Sequence, residues 1–88
     1  MEKELKEFDD LLKAHVDALD LPPGGTISKM TERVKYFGEQ MSAFGEIVNS
    51  HGIAIQEKLQ NENPGIRQAI LEIAETHKNA MVRKMKGE

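Results

Sequence analysis

Residues 27–60 read ISKMTERVKYFGEQMSAFGEIVNSHGIAIQEKLQ, and their periodicity decides the fold. Ile27, Met30, Val34, Phe37, Met41, Phe44, Val48, His51 and Ile55 alternate at spacings of three and four. On an α-helix that spacing keeps every side chain on one face. The pattern spans four heptads, with Ile27, Val34, Met41, Val48 and Ile55 at position a and Met30, Phe37, Phe44 and His51 at position d. Lys58 then ends it. Phenylalanine at d is not the leucine of a two-stranded zipper, so the stretch reads as the core helix of a bundle.

A seven-residue repeat runs inside the same helix. Tyr36-Phe37-Gly38, Ala43-Phe44-Gly45 and Ser50-His51-Gly52 bring a ring followed by glycine to the same heptad position three times. A glycine in a helix interior costs about 1 kcal/mol relative to alanine, so three cost about 3 kcal/mol. That is a large share of a small domain's stability. Close backbone approach by another helix at Gly38 and Gly45 would offset the cost. At Gly52 two outcomes stand open, a continuous helix or a break with Gly52 as the C′ residue.

Two shorter helices flank the central one. The first is predicted over about 3–19, with Leu5, Phe8, Leu12, His15 or Val16, and Leu19 as its apolar stripe. Leu21-Pro22-Pro23-Gly24-Gly25 stops it, because paired prolines cannot continue a helix. Thr26 or Ser28 is the predicted cap of the central helix. The third helix is predicted over about 64–86, with Asn63 as N-cap and Pro64 at its first position. Its stripe is Ile66, Ile70, Ile73 or Ala74, His77, Met81 and Met85. Strand signals are absent. The expected fold is therefore a single all-α domain over residues 1–88, a three-helix chain forming a helical hairpin or bundle completed by dimerisation.

Length argues for the dimer. An 88-residue chain buries only roughly 60–65% of its unfolded surface, and such domains usually need a staple. With no cysteine, disulfides and thiolate metal sites are out, which leaves self-association. A helix over 27–60 is roughly 50 Å long, whereas a compact chain of this size is about 30 Å across. The predicted self-interface is Val34, Phe37, Gly38, Met41, Phe44, Gly45, Val48 and His51.

Charge narrows the function classes. The net charge of −3 and pI near 5.6 disfavour general nucleic-acid binding, which needs a basic face. Residues 1–20 carry seven acids against three lysines, while Lys78, Arg83, Lys84 and Lys86 crowd the other end. Two readings follow: complementarity to helix dipoles, or an acidic end meeting a basic end between chains. No apolar run reaches the length of a membrane span, and no signal peptide precedes the first helix, so a cytoplasmic location is expected.

Candidate chemistry is sparse. His51 and His77 both fall on seams, and a hairpin about residues 61–65 would bring His51 near 73–77, with Glu75 beside them. A zinc site needs such a set, but no histidine pair at i, i+4 and no Glu-x-x-His signature accompanies it. No phosphate loop or nucleophile elbow is present. No enzyme activity, cofactor or metal is therefore expected. The leading expectation is a non-enzymatic helical interaction module, a homodimer that acts as adaptor, small regulator or inhibitor of a larger protein. The alternatives are a membrane-surface or nucleic-acid-associated bundle and, behind these, a small helical enzyme or metal site.

Overall fold

The computed structural model describes residues 3–20 and 27–86. The Leu21–Gly25 stop, the Thr26 or Ser28 cap and the end near Gly87 lie outside the described residues and side chains. Three helices make up the fold: α1 over Lys3–Asp17, α2 over Ile27–Leu59 and α3 over Ile66–Met85. No strand occurs among the described residues. No helix there is long and apolar enough to cross a membrane.

The helices form an elongated three-helix bundle. Lys58 near the end of α2 pairs with Glu4 at the start of α1, 2.9 Å apart. At the opposite end the Asp20 amide donates to the Tyr36 hydroxyl at 2.9 Å. α1 therefore runs antiparallel to α2. The turn over 60–65 reverses the chain again, so α3 is also antiparallel to α2 and parallel to α1. The molecule measures 52 × 19 × 16 Å, and its long dimension is the length of α2. Its radius of gyration of 15.1 Å exceeds the roughly 12 Å of a compact chain this size.

The core is built mainly by the flanking helices. Leu5, Phe8, Leu12, Val16 and Leu19 come from α1 and its last turn, and Ile66, Ile70, Met81 and Met85 from α3. α2 adds only Phe44, Ile55 and Leu59. The apolar stripes predicted for α1 and α3 are thus the ones that face inward, with Val16 rather than His15 in the buried place. His15 is half-covered, with its ring centroid 6.2 Å from that of Phe44. The amino end of α2 overhangs the bundle: Met30 is 59% and Val34 72% exposed.

The heptad seam of α2 holds from Phe37 to Ile55 with His51 as the exception, and towards its start Met30 and Val34 are exposed. Phe37, Met41, Phe44 and Val48 pack on the core, but the next inward position is Gly52, followed by Ile55 and Leu59. The predicted seam residue His51 is exposed. A straight helix has 3.6 residues per turn, so a strict seven-residue repeat drifts by roughly 20° per heptad. Without long supercoiling the core follows the helix's own period, so Gly52 takes the inward place predicted for His51, while Ile55, the next predicted seam residue, is buried. The helix is continuous through Gly52, which removes the predicted alternative of a break there.

The start of α3 also departs from expectation. Its N-cap is Gly65, with φ −88° and ψ 5°, rather than Asn63 with Pro64 at the first helical position. Asn63 instead closes the preceding turn. Its side-chain oxygen accepts from the Gly65 amide at 3.0 Å, and its carbonyl accepts from the Ile66 amide at 3.1 Å. Asparagine bonding to the backbone two residues on offers the chain a turn in place of a cap, which delays the helix by two residues.

Candidate functional site

Two apolar-walled furrows lie between α2 and α3. The first, of about 650 Å³, has Met41, Phe44, Gly45 and Val48 on the α2 wall and Leu71, Ala74, Glu75 and Lys78 on the α3 wall. The second, of about 260 Å³, lies between Val34 and Phe37 on one side and Val82 and Met85 on the other. Both lie between the same two helices, so they are successive stretches of one channel. It runs from Arg33 to Asn49 on α2, which is roughly 24 Å at 1.5 Å per residue.

The glycine repeat explains the channel's shape. A methyl group added at Gly52 would meet the Ile70 Cγ2 at 3.2 Å, so α3 lies directly on α2 there. At Gly45 and Gly38 the same methyl would meet nothing within 4 Å. The close approach predicted for Gly38 and Gly45 is thus made within the chain at Gly52 alone. Towards the amino end of α2 the other two glycines face open space.

Seven of the eight residues predicted as an interface lie on or beside this channel. Val34, Phe37, Met41, Gly45 and Val48 line it directly. Gly38 is exposed, one helical turn from Val34 and Met41. Phe44 forms part of the channel floor but is 4% exposed and belongs to the internal core. His51 stands apart, lining a cavity between α1 and α2 with Glu4, Glu7 and Phe8. The α3 wall was missed in the sequence, although Leu71, Ala74, Lys78 and Val82 recur at three- and four-residue spacing as a second stripe.

The histidines do not converge. His77 turns toward α1, where its Nε2 lies 2.6 Å from the Asp9 Oδ1. The α2–α3 register sets Gly52 beside Ile70, so His51 is level with Leu71, two residues short of the 73–77 stretch predicted for it, and lines the cavity on the α1 side. No group of three or more histidine, aspartate or glutamate side chains placed to hold a metal occurs among the described residues.

Part of the charge on α1 is met by the other helices of the same chain. Glu4 and Asp9 of α1 meet Lys58 and His77. Lys84 donates to the Val16 carbonyl at 2.9 Å and the Asp17 carbonyl at 3.1 Å, at the negative end of the α1 dipole, where the Val16 carbonyl also accepts from the Leu19 amide at 3.2 Å. The Lys58 hydrogen bond holds the Glu4 carboxyl below its ordinary range, and the same bond raises Lys58. Lys13 does the same to Asp17 across one helical turn, with Lys13 raised in return. All four shifts come from exposed ion pairs away from the channel, not from a buried acid–base pair poised for catalysis.

No family of known proteins, no curated protein and no solved structure matches this chain.

Proposed function

We propose that this chain is a non-enzymatic helical interaction module, a homodimer joined through its central helix that serves as adaptor, small regulator or inhibitor of a larger protein. The observation that carries the reading is the open channel between α2 and α3. It is long enough for four turns of a helix and walled mostly by apolar side chains. Val34 at 72% and Leu71 at 51% exposure leave more apolar surface there than a small monomer gains by exposing. Gly38 and Gly45 point the same way, because their helix cost of about 1 kcal/mol each has no contact within the chain to offset it. With the channel covered, the outer face of α1 with Glu7, Asp10 and Asp17 remains exposed as a surface for a different partner.

Sedimentation equilibrium on the intact chain tests the self-association. The expected mass rises from 9.9 kDa toward twice that value with concentration. Val34→Asp and Leu71→Asp, both at exposed positions, should hold the mass at the monomer value while helicity is unchanged. A wild-type chain that remains at 9.9 kDa throughout would sink the reading.

A further inference from the structure

We infer that the second copy closes the channel in an antiparallel twofold arrangement, with Gly45 facing its own counterpart and Glu75 facing the partner's Lys78. The inference rests on the self-association proposed above and specifies its geometry.

Register places the axis. Gly52 lies against Ile70, and Phe37 shares a cavity with Met85. Moving back fifteen residues on α2 moves forward fifteen on α3, so the two helices keep step. Gly45 is therefore level with His77, and the level of Gly45 falls between Glu75 and Lys78. Glu75, Lys78 and Gly45 all line the same furrow.

Charge chooses the direction. Glu75 and Lys78 are both exposed, and among the described residues neither has an ion-pair partner. An antiparallel pairing of α3 with its copy about that level sets Glu75 opposite the partner's Lys78, twice. It also sets Leu71 opposite the partner's Val82, which joins the two apolar ends of the α3 wall. A parallel pairing would set each charge against its own copy, which is unfavourable. An axis along the helices would place Glu75 and Lys78 over the stretch of α2 between Met41 and Asn49 that lines the furrow, whose lining residues carry no charge. A single patch that satisfies itself under a twofold is what an isologous interface requires.

Gly45 then sits where α2 crosses its copy. The space beyond it is empty in the chain, so the crossing can bring the two backbones close. The covered face is roughly 24 Å by 20 Å, on the order of 500 Å² per chain, which is at the small end for a dimer. The association should therefore be weak and visible only by varying concentration.

Charge exchange in the intact chain tests the geometry, read by sedimentation equilibrium from about 1 µM to about 1 mM, a range that brackets weak dimers. Glu75→Lys alone and Lys78→Glu alone should each weaken the dimer at least about tenfold, since each creates two like-charge pairs. An equimolar mixture of the two variants should dimerise again, and so should the double variant E75K/K78E. The second measurement uses the absence of cysteine. Gly45→Cys should form a disulfide dimer on mild oxidation, and His51→Cys, on the α1 side, should not. A wild type that is dimeric while both exchanges leave the mass unchanged and Gly45→Cys stays uncrosslinked overturns this geometry and leaves the self-association standing. A wild type that is monomeric over the whole range overturns both.

Discussion

Replacing each glycine of the α2 repeat by alanine separates three positions that look alike in the sequence. In an exposed helix interior the exchange is favourable by about 1 kcal/mol, from backbone entropy and better shielding of the helix. At Gly38 the new methyl meets nothing within 4 Å, so the gain should appear undiminished. At Gly52 the methyl meets the Ile70 Cγ2 at 3.2 Å, inside ordinary contact distance. Ile70 is 6% exposed and β-branched, so its Cγ2 moves only if the whole side chain or α3 shifts. Overpacking of that kind costs about 1–3 kcal/mol, which cancels or outweighs the helix gain. The variants should therefore differ by at least about 1 kcal/mol, or roughly 4–8 °C in Tm for a domain this size. Thermal and urea unfolding by circular dichroism should be followed at low concentration, where the monomer is read. Gly38→Ala should melt above the wild type and Gly52→Ala at or below it. If Gly52→Ala stabilises as much as Gly38→Ala, the contact between α2 and α3 at that level is wrong, and with it the register used throughout.

Other perturbations probe the rest of the bundle. Leu12→Ala empties a fully buried site on α1 and should cost about 2–5 kcal/mol in urea unfolding, out of roughly 4–13 kcal/mol for a chain this long. A loss under 1 kcal/mol would mean α1 is not docked as described. Lys84→Met removes two hydrogen bonds to the carbonyls ending α1 and should lower stability by about 1 kcal/mol. An Arg variant should recover part of that loss. Lys58→Met should destabilise the fold slightly around neutral pH. Glu4 is held below its ordinary range, so its share is present above the ordinary carboxylate value and lost as pH falls through the lowered one. Lys58 is raised, so its share is present below the ordinary lysine value and lost as pH rises through the raised one. Wild type and variant should converge at both extremes, and a difference that persists in strong acid would exclude the pair as its source.

Periodicity made the helices legible because each must bury one face, and the stripes Leu5–Leu19 and Ile66–Met85 are the faces that are buried. His51 was placed wrongly for a reason that sequence spacing cannot resolve over so few turns. Periods of 3.5 and 3.6 agree through Phe37, Met41, Phe44 and Val48 and separate only at the next step. The three glycines were equally indistinguishable, since what divides Gly52 from Gly45 is a contact from α3, with Ile70 in reach of Gly52 and nothing in reach of Gly45. Local spacing does not encode that contact. Half of the channel was readable for the same reason: the α2 wall carries a strong stripe, whereas the α3 wall mixes Leu71 and Val82 with Glu75 and Lys78 and passes for ordinary surface.

The polar ties of α1 carry a kinetic consequence. Asp9 reaches His77 and Val16 reaches Lys84, each 68 residues along the chain. α2 and α3, by contrast, are joined by a six-residue turn and meet at once as a hairpin. Loop-closure entropy favours the hairpin as the first structure to form, with α1 closing onto it afterwards. α1 nevertheless supplies the largest share of the buried side chains. The hairpin must therefore wait, with Ile70, Met81 and Phe44 open to water, until the far end of the chain returns. Substitutions at Phe8 or Leu12 should then mainly speed unfolding, and those at the Gly52–Ile70 contact should mainly slow folding. Stopped-flow measurement of both rates reads the order directly, and the reverse partition would place α1 in the nucleus.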